Sequence, residues 1–344
     1  MKNIQSRFLP GFDSSFETVL EIIRTYGDIP LAGQLTQPRL NIFQYRNSFL
    51  AHRRHRRKVY VLGDPLGPSE EKLEVILRFL EQGKNCSFIQ IHYETARILA
   101  ELGYYINSFG VERTLHLPYQ RSGKEKAWVR NLYNAGLRNQ IFVREIPVAY
   151  VQHPDRTHIR PGSNQKHNRL RKEFSFLART GVTHLPNGSR IFGGFVDGVL
   201  IGYSVFDPLY KNGEIIGYSE VVPKRSSSAP KGTRVYILLK AMEEFAREGK
   251  QKISLGLSPL EAIEKYDIET GFADSKLTRF MLKTLRNSGG NFFNFKGLSF
   301  HKSRFGGETE PVYCAFKTLL PIDGLLGIYQ LTTNYSLPPW LGLI

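Results

Sequence analysis

The sequence predicts an α/β protein made of two similar units, each with a mixed central sheet. The chain has 344 residues, which corresponds to two domains at roughly 150 residues per domain. Each half contains a strand, a loop rich in Gly and Pro, an amphipathic helix and a second strand, in that order. The glycines that flank the helix are 16 residues apart in the first half (Gly67, Gly83) and 17 apart in the second (Gly232, Gly249). Such a repeat predicts two copies of one structural module.

The composition is that of a folded protein in a reducing compartment. Hydrophobic residues make up 41% and charged residues 23% of the chain, close to globular averages. Two cysteines, Cys86 and Cys314, are too few for a disulfide framework or a four-cysteine zinc site, and their apolar surroundings are typical of core residues. No apolar stretch approaches the ~20 residues of a spanning helix, and the N-terminus lacks the apolar segment of a secretion signal. We therefore expect a cytoplasmic protein.

The first unit begins with a helix at Ser14 to Tyr26, where apolar residues recur at helical spacing. A strand is expected at Val59 to Leu62, followed by the loop GDPLGP at Gly63 to Pro68. Ser69 can cap the next helix, whose expected apolar face consists of Leu73, Ile76, Leu77 and Leu80. The second strand of this unit is expected at Ser87 to His92.

The second unit repeats this order. A strand at Glu214 to Val222 leads into a loop at Pro223 to Gly232, and a strand at Ile253 to Leu257 ends the unit. The helix between them has one apolar face, formed by Val235, Leu238, Leu239, Met242 and Phe245. Prolines and an absence of periodicity mark residues 145–165 as the junction, which predicts one domain at residues 1–150 and another at 151–344.

The charge is strongly positive and unevenly distributed. The formal net charge is +16, and residues 121–172 contain twelve Lys or Arg against three acids. A second basic run, residues 52–58, is expected at the tip of a hairpin. Such clusters bind tRNA phosphates or an anionic membrane leaflet, or serve only as solvated charge. The candidate contacts are Arg53, Arg54, Arg56 and Arg57 in the hairpin, with Arg169, Arg171 and Lys172 in the longer stretch.

The loop before the second amphipathic helix is a candidate anion site. Its sequence, SSSAPKGTR, places Gly232 at a helix N-terminus, where free N–H groups and the helix dipole attract anions. The loop resembles the pyrophosphate loop of GCN5-related N-acetyltransferases, which bind coenzyme A. Here Gly232 stands alone and Arg234 occupies the place of the second small residue, which disfavours coenzyme A. A purely structural turn is the alternative.

A third candidate is the segment from Phe293 to Tyr313, in which aromatic and cationic residues alternate. Its cations are followed by Gly306-Gly307, two acids and a Pro-started strand; the cations are Lys296, His301, Lys302 and Arg304. Lys or Arg can hold a phosphodiester and stabilise an oxyanion, while a carboxylate can orient or deprotonate a hydroxyl. The alternative is an exposed basic edge strand.

Five segments together resemble the cytosolic catalytic region of lysyl- and alanyl-phosphatidylglycerol synthases, also called multiple peptide resistance factors. They are GDPLGP, SFGVERTLHLP (108–118), RKEFSFLAR (171–179), SLGLSPL (254–260) and the segment just described. Their order is that of the family, and the similarity extends from about Phe12 to Phe316. The resemblance implies two tandem acetyltransferase-like (GNAT) domains and transfer of an aminoacyl group from aminoacyl-tRNA to phosphatidylglycerol. We expect no counterpart here of the flippase domain that usually precedes this region in the family.

The resemblance also assigns residues. The family's essential basic pair falls on Lys302 and Arg304, and its Trp-Glu-Pro-Arg-Tyr element falls on residues 309–313, where Glu310 matches but the Trp and Arg do not. The family's Asp-x-x-Arg pair is poorly kept. Glu220 lies nearest to the Asp, one residue out of step, and Lys224 or Arg225 would have to replace the Arg.

Other features are expected to be structural. His153, His158 and His167 match no metal-binding spacing, so no metal is expected. The apolar tail from Leu319 to Ile344 is expected to pack on the second domain, with insertion at a membrane interface as the alternative.

Together these observations predict a peripheral membrane aminoacyltransferase without a cofactor, using aminoacyl-tRNA as donor and an anionic phospholipid as acceptor. Lys302, Arg304, Glu310 and Glu220 are the expected catalytic residues; Gly232, Arg225, Lys224, Lys296 and Arg234 are expected to bind substrate. Two alternatives remain: an acyl-CoA-dependent N-acyltransferase, and a non-catalytic adaptor that binds membrane or RNA.

Overall fold

The structure is a computed structural model that describes residues 16–83, 85–152, 176–177, 179, 181–182, 185–269, 271–288 and 294–333. Its centre is one mixed sheet, whose strands lie in the order β1-β2-β3-β4-β11-β5-β10-β9-β8-β7-β6. The strands are β1 (Asn41–Tyr45), β2 (Ser48–His55), β3 (Lys58–Leu66), β4 (Cys86–Ile91), β5 (Tyr105–His116), β6 (Phe142–Glu145), β7 (Arg190–Val196), β8 (Val199–Lys211), β9 (Glu214–Arg225), β10 (Lys252–Pro259) and β11 (Glu308–Phe316).

Helices cover both faces of this sheet. They are α1 (Phe16–Tyr26), α2 (Lys72–Leu80), α3 (Tyr93–Glu101), α4 (Ala127–Arg138), α5 (Val148–Gln152), α6 (Thr233–Arg247), α7 (Ile263–Glu269), α8 (Lys276–Ser288), α9 (Phe295–Ser303) and α10 (Ile322–Thr333).

The sheet contains the same unit twice. Three antiparallel strands, a helix and a parallel fourth strand occur as β1–β3, α2 and β4, and again as β7–β9, α6 and β10. The strand that follows each unit crosses to the other, so that β11 lies between β4 and β5, and β5 lies between β11 and β10. The expected α/β fold with two similar units and a mixed sheet is confirmed.

The division into residues 1–150 and 151–344 stays a prediction. The sheet continues across the two units, because β11 from the second pairs with β4 of the first. A buried arginine also joins the halves: Arg179 Nη2, which is paired with Asp207 Oδ2 of its own half at 2.6 Å, donates to the Gly33 carbonyl of the other half at 2.6 Å.

The basic run lies at the tip of the β2–β3 hairpin, as expected, although part of it belongs to β2, which extends to His55. Two other local expectations were wrong. β3 extends to Leu66, so most of GDPLGP is strand. In α2 the buried residues are Val75, Ile76 and Phe79, while Leu73 and Leu77 are exposed. Apolar residues occupy more than one stripe of this helix, and packing on the sheet determines which stripe is buried.

The C-terminal segments also differ from expectation. Residues 295–303 form a helix, and β11 is a central strand rather than an exposed edge strand. α10, which begins the tail expected to pack on the second domain, also contacts the first half: Tyr60 Oη donates to the Asp323 carbonyl at 3.1 Å, and His55 Nε2 lies 2.8 Å from Gln330 Oε1. The tail beyond residue 333 lies outside the described residues.

α6 anchors the second half through the face that its periodicity predicts. All five predicted apolar residues are buried. Phe245 is fully buried, stacks on Tyr218 at 4.2 Å between ring centroids, and meets Phe192 and Phe206 edge-on at 5.4 and 5.3 Å. This aromatic cluster fixes α6, and with it the loop that precedes the helix, against β9.

We expect Phe245→Ala to lower the free energy of unfolding by about 3–5 kcal/mol, because it leaves a large cavity among rigid rings. Phe142→Ala is the matched control, since the Phe142 side chain is 63% exposed on β6. Urea denaturation of both variants measures the difference. Equal unfolding midpoints for the two variants would contradict this description of the core.

Candidate active site

The candidate site lies where the parallel strands β9 and β10 separate. They pair only between Gly217–Ser219 and Lys252–Ser254. A bulge follows in β10, where Gly256 has a φ of +68°. Glu220 on β9 and Leu257 on β10 lie beyond the paired residues, at the two sides of this gap. Ligands of open α/β sheets bind beyond the carboxyl ends of such strands.

Helix α9 crosses the end of β10 and places a cation in the gap. Phe295, at its start, packs on the core cluster that includes Leu257, and Phe305, just after its end, packs on the cluster that includes Leu255. The Lys302 Nζ donates a hydrogen bond of 2.8 Å to the Leu257 carbonyl. A backbone carbonyl of the gap therefore holds the ammonium.

Burial and opposite charges shape the titration of the site. Burial raises the pKa of Glu220, whereas Arg234, a hydrogen bond from Ser204 Oγ (2.8 Å) and Lys302 counteract this. Burial lowers the pKa of Lys302 from 10.5 to about 8, against the opposing effects of Glu220 and Glu112. A carboxylate of raised basicity thus lies within the electrostatic range of two cations.

His301, next to Lys302 on α9, is an uncharged neighbour of the gap. Burial, Arg234 and Lys302 lower its pKa to about 4. Its ring meets Trp128 edge-on at 5.4 Å and Phe305 at 5.7 Å. At neutral pH it therefore adds a hydrogen-bonding group without adding charge.

Arg304 presents a guanidinium between two aromatic rings. Its carbon Cζ lies 4.9 Å from the Trp128 ring centroid and 5.0 Å from that of Phe300. Within the described residues the group makes no hydrogen bond or ion pair with another side chain. The two rings hold the cation by cation–π contacts, and a guanidinium whose N–H groups are not used by other side chains can bind a phosphate in two contacts.

The predicted anion loop is braced by its own contacts. Gly232 has a φ of +93° at the start of α6, and a Cβ there would lie 3.0 Å from Leu132. Arg225 Nη1 donates to the carbonyls of Ser226 and Ala229, both at 3.4 Å. Arg225 is therefore bound to the loop. Arg234, in the first turn of α6, instead lies close enough to Glu220 for their opposite charges to interact.

Other predicted residues lie outside this group. Lys224 is partly buried on β9, and Lys296 is exposed at the start of α9. Glu310 is 67% exposed on β11, with its Oε2 3.9 Å from His92 Nε2. The hairpin residues Arg53, Arg54, Arg56 and Arg57 lie on or beside β2, six strand spacings or about 29 Å from β9. Arg169, Arg171, Lys172, His153, His158 and His167 lie outside the described residues.

A chain of buried polar groups, which was not predicted from the sequence, reaches the gap from the first half. It consists of Asp64, His92, Gln90 and Glu112. Glu112 is 3% exposed and pairs across the sheet with Leu257 on one side and Glu310 on the other. The available signal was the dipeptide Glu112-Arg113, two charges inside a strand that is otherwise without them.

Cys86 and Cys314 are buried, as expected of core residues. The described residues contain no group of three or more His, Cys, Asp and Glu side chains placed to hold a metal ion. Within the same ranges, no helix combines the length and apolar character needed to cross a membrane.

The chain is similar to known proteins of one family. A family described as phosphatidylglycerol lysyltransferase, C-terminal, matches residues 22–316. A phosphatidylglycerol lysyltransferase of Bacillus subtilis (strain 168) is 24% identical over 289 residues, which cover 79% of this chain and 31% of that protein. The chain thus spans about a third of the length of that relative.

Two solved structures share the fold. The structure of L-PGS from Bacillus licheniformis matches with a TM-score of 0.72 and 19% identity over 94% of this chain and 98% of that one. The C-terminal domain (DUF2156) of a putative lysylphosphatidylglycerol synthetase from Agrobacterium fabrum matches with a TM-score of 0.70 and 19% identity over 92% and 96%. Because the family match covers most of its length, the chain belongs to the phosphatidylglycerol lysyltransferase C-terminal family.

Proposed function

We propose that the protein transfers an aminoacyl group from aminoacyl-tRNA to a hydroxyl of a phosphatidylglycerol-like lipid at the cytoplasmic face of the membrane. The observation that carries the proposal is the placement of Glu220 and Lys302 at the gap between β9 and β10, with Arg234 beside them. Membership of the lysyltransferase family supports the same chemistry.

The reaction needs a base and a cation, which this pair supplies. Glu220 accepts the proton of the lipid hydroxyl while the hydroxyl oxygen attacks the carbonyl carbon of the aminoacyl ester. Lys302 and Arg234 stabilise the negative charge that develops on the carbonyl oxygen. The bond between that carbon and the ribose oxygen then breaks, and the proton passes from Glu220 to the departing ribose hydroxyl.

Arg304 is the group best placed to hold the phosphodiester of the acceptor. Its guanidinium is held between two aromatic rings, and it lies two residues from Lys302 on the same helix end. Tyr119 Oη donates to the Phe305 carbonyl at 2.8 Å, and Arg113 Nη1 donates to the Gly306 carbonyl at 3.2 Å. These contacts fix the chain just after Arg304 and so define the direction of its side chain.

Two features support tRNA rather than coenzyme A as the donor. The loop that would bind a pyrophosphate uses Arg225 for its own carbonyls. A basic segment lies against the end of α9 instead, where Lys126 Nζ donates to the Phe305 carbonyl and Arg130 Nη1 donates to the Arg121 carbonyl. This segment can accept the phosphates of a polyanion.

The first prediction concerns Lys302. We expect Lys302→Ala to lower kcat by about 10²–10³-fold, the usual effect of removing one oxyanion-stabilising group. Lys211→Ala is the control, since Lys211 is exposed at the β8–β9 turn. The assay uses total charged tRNA with radiolabelled amino acids and phosphatidylglycerol vesicles, and measures labelled lipid with and without ribonuclease.

The absence of a ribonuclease-sensitive lipid product with every amino acid would contradict the proposed function. Parallel reactions with labelled acetyl-CoA test the alternative donor. Transfer of acetyl groups at a comparable rate would show that coenzyme A, not tRNA, supplies the acyl group.

The second prediction concerns pH. Glu220 acts only when ionised, so activity rises as the pH increases through its raised pKa; Lys302 acts only when protonated, so activity falls as the pH rises through about 8. We expect a bell-shaped profile of kcat. Glu220→Gln should reduce kcat by about 10²–10⁴-fold and remove the acidic limb. The alkaline limb should remain but move to lower pH, because the Glu220 charge raises the pKa of Lys302. An unchanged acidic limb in this variant would refute the role of Glu220.

The hairpin and α10 support contact with an anionic membrane. Arg54, Arg56 and Arg57 are exposed at the hairpin. α10 lies beside the hairpin turn, where Lys58 Nζ is 3.9 Å from Asp323 Oδ2. Just before α10, the side chains of Leu319 and Leu320 are 54% and 46% exposed. Exposed arginines beside exposed leucines are typical of surfaces that bind anionic bilayers.

The third prediction tests this surface. At about 1 kcal/mol per arginine near an anionic membrane, replacing both Arg56 and Arg57 by Gln should weaken binding to phosphatidylglycerol-containing vesicles by roughly 30-fold. Co-sedimentation measures this, with Arg97→Gln/Arg247→Gln as the control pair of exposed arginines. If the hairpin variant keeps its vesicle binding but loses tRNA binding, the hairpin serves the donor instead.

A further inference from the structure

The first half contains a gap equivalent to that of the active site, and a salt bridge closes it. β3 and β4 pair in parallel only between Val59–Leu62 and Cys86–Ile89, and then separate as β9 and β10 do. Here Asp64 of β3 bridges to His92, which follows β4. The backbone N–H of His92 donates to Asp64 Oδ1 at 2.9 Å, and the imidazole Nδ1 of His92 lies 2.5 Å from Asp64 Oδ2. Both side chains are largely buried.

The other ring nitrogen faces the second half. His92 Nε2 lies 3.4 Å from Glu112 Oε2 and 3.9 Å from Glu310 Oε2. A neutral imidazole has one N–H, whereas an imidazolium has two. Because carboxylates lie at both nitrogens, only the imidazolium satisfies both sides. Burial alone would lower the pKa of His92, but Asp64 and Glu112 raise it well above 6.5.

A strained residue holds the other oxygen of Glu112. Gln90 Nε2 donates to Glu112 Oε1 at 2.6 Å. Gln90 has a φ of +59°, a left-handed conformation that costs a residue other than Gly free energy. It is the extra residue of a bulge, since its neighbours Ile89 and Ile91 pair with the consecutive residues Cys314 and Tyr313. Strain at this position is consistent with a requirement to orient Glu112.

Glu112 connects this network to Lys302. Its strand partner is Leu257, the residue whose carbonyl accepts the hydrogen bond from Lys302 Nζ. The carboxylate therefore lies at the same level of the sheet as the ammonium, one strand away. The charged or titratable groups that act on Lys302 come from four other segments: Glu220 on β9, Arg234 on α6, Glu112 on β5 and Glu261 after β10. His301 adjoins it on α9.

We propose that the Asp64–His92 pair is a positioning device that aims the Glu112 carboxylate at Lys302, so that the first half sets the charge of the site in the second. The closed gap of the first unit thus acts as a support for the site of the other unit. The consequence for transfer rests on the proposed function, but the effect on the Lys302 ammonium does not.

The experiment measures the protonation of Lys302 without assaying transfer. Competitive labelling with acetic anhydride over a range of pH, quantified for the Lys302 peptide by mass spectrometry, gives the midpoint of its titration. Glu112→Gln removes a negative neighbour, so we expect the midpoint to move to lower pH by about one unit. His92→Gln can still donate to Asp64 but loses the donor to Glu112. We expect it to move the midpoint in the same direction, because Glu112 is no longer held in place.

The double variant separates the positioning role from direct electrostatics. If His92 acts through Glu112, the shift in His92→Gln/Glu112→Gln equals that of Glu112→Gln alone. Direct repulsion by the imidazolium would instead give His92→Gln a midpoint at higher pH, and a purely structural role would leave it unchanged; either result would overturn the proposal. His116→Gln and Glu308→Gln remove the exposed pair of the same type, 3.0 Å apart, and should shift nothing.

Two further arms keep the test decisive. If His92→Gln does not fold, Gln90→Met removes the other group that orients Glu112 and should lower the midpoint; an unchanged midpoint then counts against the proposal. The alkaline limb of the transfer rate should move with the labelling midpoint in every variant. A shifted midpoint without any transfer activity would refute the proposed function while leaving this inference intact.

Discussion

The hydrogen bond from the Lys302 ammonium to the Leu257 carbonyl is the contact on which the site depends. The carbonyl is available because β10 leaves β9 after three paired residues, and the ammonium reaches it because α9 crosses the end of β10. Once the cation is fixed there, the charges nearby acquire their roles: Glu220 becomes its carboxylate partner across the gap, and Arg234 a second cation. Arg304, two residues on, is directed to a separate surface by Trp128 and Phe300.

The two units solve one geometric problem in different ways. Parallel strands joined by a helix separate at their carboxyl ends, and the groups exposed there need partners. In the first unit the chain supplies them itself, through Asp64 and His92. In the second unit, Lys302 from α9 and the carboxylate of Glu220 lie at the corresponding position. Their remaining hydrogen-bonding capacity is available to a substrate. The exchange of β5 and β11 between the units places Glu112 beside His92 of the first unit and opposite Leu257 of the second.

The sequence predicts what depends on local periodicity and misses what depends on strand order. The apolar face of α6 follows from its spacing and agrees with the structure. The face of α2 does not, because two alternative stripes of that helix are apolar and only the sheet beneath selects Val75, Ile76 and Phe79. The central position of β11 depends on pairing with residues 200 positions earlier in the chain. The charged dipeptide Glu112-Arg113 marks the position within its strand, but the role of Glu112 follows only from that pairing. The family resemblance identifies Lys302, Arg304 and Glu220. It does not show that the surroundings of these residues differ.

The pKa of the Lys302 ammonium in the unliganded protein tests this description of the site most directly. Nuclear magnetic resonance of side-chain-labelled lysine, with the signal assigned by Lys302→Arg, measures it without substrate. A lysine held in a desolvated gap beside Arg234 should titrate near pH 8. A midpoint near the ordinary value of 10.5 would mean that water reaches the ammonium freely, and would contradict the site proposed between β9 and β10.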